Sequence, residues 1–164
     1  MNLGEKMTLN TNLKKIFLII FSTLILSACS TAKKSGDIDG DVYTGKETVE
    51  YLADGVPDRV FFATNKSSLT TASRATLRKQ ATFLRKNKNL NVTIEGHADE
   101  RGTREYNLAL GERRANAARD YLMTYGISGK RISVISYGKE KPVNPKSSPL
   151  AWSQNRRSVT VKVN

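Results

Sequence analysis

Three charged side chains crowd one short run, Gly96-His97-Ala98-Asp99-Glu100-Arg101-Gly102, and Arg114 follows 15 residues after Asp99. Adjacent carboxylates on one loop, here Asp99 and Glu100, can act as general acid and base, as a hydrolase of glycosidic or amide links requires. A guanidinium, for its part, can grip a carboxylate through two parallel bonds. Each residue also has a simpler explanation. Asp99 can be an acid favoured near a helix N-terminus, and Arg114 a weak surface ion pair with Glu112 or Asp120. The hydrolytic reading lacks its usual support. His97 is the sole histidine and cannot build an ordinary zinc site, so a structural hydrogen-bonding role is expected for it. No serine stands in a recognisable nucleophile motif.

These residues must be positioned by a small alternating fold. Arg59-Val60-Phe61-Phe62-Ala63 is a short β-type run. Residues 68–85 have helical spacing, with Leu77, Ala81 and Leu84 on one face and Arg74, Arg78 and Arg85 on another, solvated one. Residues 91–96 alternate as a strand, and 105–125 form a second helix that Gly126 closes. On that helix Leu108, Gly111, Ala115, Ala118 and Leu122 make a packing stripe with small members. Beside it, Asn107, Leu110, Arg114 and Tyr121 form a rim that points toward the Asp99 loop. A strand over 132–137, a loop containing Pro142, Pro145 and Pro149, and a last strand over 158–163 follow. The order β-α-β-α-β-β predicts an α/β fold, an α+β sandwich with helices packed on a small mixed sheet.

The N-terminus speaks of export. Lys14-Lys15 precede an 11-residue apolar run, Ile16 to Leu26, too short to span a bilayer as a helix. Leu26-Ser27-Ala28-Cys29 then resembles a bacterial lipobox, so residues 1–28 read as a lipoprotein signal peptide and Cys29, the sole cysteine, as the lipidated residue. Several acyl chains on one cysteine anchor a protein stably, where a single chain does so only marginally. Ser30, rather than an aspartate, follows the cysteine, which under enterobacterial sorting rules directs the protein to the outer membrane. Residues 29–56 read as the lipidated cysteine and a flexible tether, and 57–164 as the folded domain. Asp37, Asp39 and Asp41 imitate the start of a calcium loop, but Val42 and Thr48 stand where its Gly and Glu belong. Neither a metal nor a cofactor is expected.

The chain of 164 residues carries a net charge of +12, and the part after residue 28 still has 24 basic against 14 acidic side chains. That balance favours an anionic partner without naming it. Export and lipidation argue against nucleic acid, and the strands lack the aromatic pair of an RNA-reading sheet. Arg156-Arg157 could touch wall phosphates or lipid, with solvated charge as the plainer reading.

Residues 96–103, Tyr106-Asn107, Leu110-Gly111-Glu112-Arg113-Arg114-Ala115-Asn116 and Ser136-Tyr137-Gly138-Lys139-Glu140-Lys141-Pro142 together resemble the peptidoglycan-associated lipoproteins of the Tol–Pal system, whose wall-binding unit is the OmpA-like C-terminal domain. The resemblance covers residues 58–163. It implies a non-enzymatic protein of the outer membrane, facing the periplasm, that binds the peptide stem of peptidoglycan at meso-diaminopimelate. It further implies TolB and other Tol proteins as partners, and roles in envelope integrity and in outer-membrane constriction at division. Carried over residue by residue, Asp99 meets the ammonium of diaminopimelate and Arg114 its carboxylate, while Arg101, Asn107, Leu110, Phe62 and Ala63 line the pocket. Ala63 departs from the pattern, since the family usually has aspartate after that phenylalanine.

Overall fold

The computed structural model describes residues 38–39, 41–44 and 50–163. The signal segment 1–28 and Cys29 lie outside the described residues. Two short antiparallel pairs come first, β1 (Ile38–Asp39) with β2 (Val42–Tyr43) and β3 (Tyr51–Ala53) with β4 (Val56–Pro57). The remaining order is β5 (Arg59–Phe61), α1 (Thr71–Lys86), β6 (Asn91–His97), α2 (Arg104–Thr124), a 3-10 turn, β7 (Ile132–Gly138), α3 (Pro149–Asn155) and β8 (Arg157–Val163). The main sheet runs β5-β8-β6-β7, with β6 and β7 parallel and the other pairings antiparallel. This is the small mixed sheet expected from the sequence.

Hydrophobic spacing accounts for the helices. Leu77, Ala81 and Leu84 are almost completely buried on α1, and Thr70 caps its start by accepting the Ser73 N–H. On α2, Ala115, Ala118 and Leu122 bury against Val92 and Ile94 of β6 in the same core cluster. Gly126, at φ +82°, ends that helix in the left-handed conformation that glycine adopts without strain. The stripe of small residues on α2 has a measurable purpose. A Cβ on Gly96 would fall 1.8 Å from the carbonyl oxygen of Gly111, so helix and strand backbones touch at that point. That contact sets the height of α2 above β6 and places the loop between them.

Three expectations are revised. Where the tether was drawn through residue 56, Tyr43 and Leu52 are buried, and the Tyr43 ring meets Phe61 edge-on at 4.8 Å. Two apolar side chains within a polar stretch are enough to fold it onto the domain. The proline-containing loop holds a short helix, α3, because Ser148 caps it and Pro149 occupies its first turn, where no amide is needed. Leu108, assigned to the packing stripe, is exposed. Among the described residues, no helix is long and apolar enough to cross a membrane.

Candidate functional site

The loop from β6 to α2 turns Asp99 inward under the end of the sheet, where it keeps only 7% of its surface exposed. Arg101, two residues on, folds back over it. Asp99 Oδ1 accepts Arg101 Nε at 3.0 Å and its backbone N–H at 3.1 Å, and Oδ2 accepts Arg101 Nη2 at 2.7 Å. Arg156 Nη1 reaches Oδ2 from below at 3.4 Å. Burial alone would raise the carboxyl pKa, but the hydrogen bonds and charge of Arg101, with the charge of Arg156, hold it below the usual carboxylate range. Asp99 is therefore ionised throughout the physiological range.

Glu100 Oε1 accepts the Trp152 indole N–H at 2.7 Å and the Ser147 hydroxyl. Trp152 in turn carries the Arg101 guanidinium at 4.4 Å from its ring centroid. The second carboxylate is thus committed to holding an aromatic platform for Arg101.

Arg114 takes a different place from the one its helical position suggests. It has no exposed surface. Its Nε, Nη1 and Nη2 donate to the carbonyls of Lys66, His97 and Ala63 at 2.9, 2.8 and 3.0 Å. The guanidinium also lies 5.3 Å from the Phe62 ring centroid. Burial, and then the charge of Arg156, pushes its pKa down to about 10, so it stays charged. Asn107 and Leu110, drawn on the same rim, are buried with it. The rim is interior because the segment after β5 lies across it and offers its carbonyls to the arginine. Asn107 Nδ2 donates to the Arg101 carbonyl at 2.8 Å, which ties the first turn of α2 to the loop that carries Asp99. Phe62 is fully buried, and Ala63 is half-buried and contributes its carbonyl.

All seven sequence-derived site residues therefore surround one loop, but in two layers. Asp99 and Arg101 lie nearest the surface; Arg114, Asn107, Leu110 and Phe62 hold the floor, with Ala63 at its edge. A depression of about 250 Å³, lined by Thr64, Asn65, Arg101, Gly102 and Tyr106, opens beside Arg101. Larger depressions lie elsewhere, one of about 510 Å³ over the open face of the sheet. They adjoin neither Asp99 nor Arg101.

Arg156 is the residue that sequence reasoning missed. It was grouped with Arg157 as solvated charge, yet it is 2% exposed and donates Nε to the Phe62 carbonyl at 3.0 Å while facing Asp99. No local pattern marks it, because its partners lie 94 and 57 residues away in the chain. Arg157 is buried too, on the other face of β8, and burial pushes its pKa down to about 10. His97 is buried against Tyr137, with ring centroids 5.5 Å apart, and neither ring nitrogen finds a partner in hydrogen-bond geometry. Glu95 Oε2 stands 3.6 Å from Nε2, just outside hydrogen-bond range. Burial first, then the charges of Arg157, Arg59 and Lys141, pushes the His97 pKa down to about 3, so the ring is neutral. Among the described residues, no cluster of three His, Cys, Asp or Glu side chains could hold a metal ion.

Residues 61–156 match the OmpA family. The chain is 48% identical over 151 residues to the peptidoglycan-associated lipoprotein of Rhizobium meliloti, covering 89% of this chain and 86% of that one. It is 44% identical over 144 residues to the protein of the same name in Agrobacterium fabrum, covering 84% and 81%. The crystal structure of the peptidoglycan-associated lipoprotein from Burkholderia pseudomallei superposes with a TM-score of 0.63 at 38% identity, over 65% of this chain and 90% of that one. Members of the peptidoglycan-associated lipoproteins are structural binders of the wall rather than enzymes. The chain belongs to the OmpA family and, within it, to the peptidoglycan-associated lipoproteins of the outer membrane.

Proposed function

We propose that this protein is a non-catalytic tether, lipidated at Cys29 in the outer membrane and gripping the meso-diaminopimelate of the peptidoglycan stem with its folded domain. The observation that carries this reading is the state of Asp99: an ionised carboxylate, nearly buried, ringed by guanidinium groups at a loop that opens to solvent. A carboxylate matched by the exposed guanidinium of Arg101 can exchange that partner for another cation, and the free end of diaminopimelate presents an ammonium beside a carboxylate. The ammonium meets Asp99 as Arg101 releases it and keeps its place against Trp152, while the surrounding guanidinium charge receives the carboxylate. A lysine stem lacks that carboxylate and leaves the positive floor uncompensated. Arg114 shapes this floor through the carbonyls of Ala63 and His97.

Binding the wall at one end and the membrane at the other supports envelope integrity and outer-membrane constriction at division, with TolB competing for the wall-binding face and other Tol proteins as further partners. The test is sedimentation of the protein with purified sacculi. The wild-type protein should co-sediment with walls containing diaminopimelate and far less with walls containing lysine. Asp99→Asn, which keeps shape and loses charge, should lower retention at least tenfold. Equal retention on both wall types, or an unaffected Asn variant, overturns the assignment.

A further inference from the structure

A carboxylate from outside the domain's main sheet already sits at this site. Asp41 precedes β2, and its side chain reaches residues 23 and 115 positions away. One oxygen accepts the backbone N–H of Thr64. The other accepts Arg156 Nη2 at 2.7 Å, and the Asp41 carbonyl takes the same guanidinium. Arg156 thus bridges two acids, with Asp41 on one terminal nitrogen and Asp99 on the other. Thr64 closes the circle, since its hydroxyl accepts Arg101 Nη2 at 3.3 Å.

Both Asp41 oxygens are engaged by protein donors, a guanidinium and a backbone amide, which is how a bound ligand carboxylate is held. The Asp41 side chain remains 51% exposed, so it can leave without opening the core. Arg114, the other candidate for the ligand carboxylate, is fully covered and bonded to three carbonyls. Ala63, beside Thr64, offers no carboxylate of its own at this place.

We propose that Asp41 is an internal occupant of the ligand's carboxylate position, resting on Arg156 and the Thr64 amide until the wall stem displaces it. Although partial burial opposes ionisation, the Thr64 hydrogen bond and the charges of Arg156 and Arg101 keep this carboxyl below the ordinary range, so the occupant is charged when the stem arrives. Wall binding and displacement of the Asp41 side chain then become one event, with Tyr43 remaining packed on Phe61. An occupant in place nine-tenths of the time weakens apparent affinity about tenfold.

The inference rests on the stem-binding reading above, and the experiment separates the two. Binding of the tripeptide L-Ala-γ-D-Glu-meso-diaminopimelate to the full chain in detergent micelles is measured by calorimetry for the wild-type protein, Asp41→Ala, Asp41→Asn and Asp99→Asn. Both Asp41 variants should bind about tenfold more tightly, and Asp99→Asn should abolish binding in either background. Unchanged affinity in the Asp41 variants overturns the occupant while leaving the stem site standing. Weaker binding overturns it too, and makes Asp41 part of the ligand site. Absence of binding in the wild type and both Asp41 variants removes the stem site, and the occupant falls with it.

Discussion

Replacing Arg114 by alanine tests the two-layer arrangement most directly. The arginine is completely buried and gives three charged hydrogen bonds to the carbonyls of Ala63, Lys66 and His97. Alanine leaves three acceptors without their donor and a cavity the size of the lost side chain. An unsatisfied buried acceptor costs about 1–3 kcal/mol. With some relaxation and water entry, the sum is about 3–6 kcal/mol, against a total stability of about 5–15 kcal/mol for an ordinary domain. Arg114→Ala should therefore lose a large share of its folding stability, and its failure to bind sacculi would not by itself identify a ligand contact. Arg114→Lys keeps the charge but has a single compact ammonium where a planar fork bridged three carbonyls, so it should recover only about 1–2 kcal/mol of the loss. Urea denaturation followed by far-UV circular dichroism reads both variants. If Arg114→Ala unfolds within about 1 kcal/mol of the wild type while losing wall binding, the structural role is refuted and the arginine is a ligand residue alone.

Two further outcomes follow from the packing. His97 has an ordinary pKa of 6.5 and is held near 3 in the folded protein. The unfolded chain therefore takes up a proton as pH falls below 6.5 while the folded one refuses it, so stability drops on acidification. Between pH 7 and pH 5 the loss should be about 2 kcal/mol. His97 is the only histidine, so a flat stability profile over that interval, measured by urea titration, would contradict its neutral burial. Gly96→Ala places a Cβ 1.8 Å from the Gly111 carbonyl and must lift α2 from β6. A loss of about 3 kcal/mol or more is expected, read as a lowered Tm, and a wild-type melting curve would show that the backbone contact is not tight. Gly111→Ala should be milder, because its Cβ meets the Ser136 hydroxyl at 2.4 Å and backbone, the Gly96 carbonyl oxygen, only at 2.9 Å.

Local sequence decided a good deal about this protein. The 3.6-residue spacing of Leu77, Ala81 and Leu84 and the alternation of Val92 and Ile94 report which faces are apolar, and those faces are the buried ones. The small residues Gly111, Ala115 and Ala118 announced a helix lying close to a strand, and the loop carrying Asp99 and Arg101 could be placed between those two elements. What periodicity cannot report is what will cover a polar residue at the edge of an apolar face. Asn107, Leu110 and Arg114 share a helical line that could equally have been a solvated rim. They are interior because the segment after β5 crosses over them and supplies carbonyls from residues 63 and 66. Bonds to backbone carbonyls leave no signature in the side chains of the accepting residues. The contacts of Arg156 and Asp41 are not legible locally, since their partners are brought near only by closure of the sheet, through strands β5 and β8 pairing across the chain. Charge types and their local spacing were legible in the sequence; the tertiary structure decided which guanidinium faces Asp99 and which holds the floor beneath it.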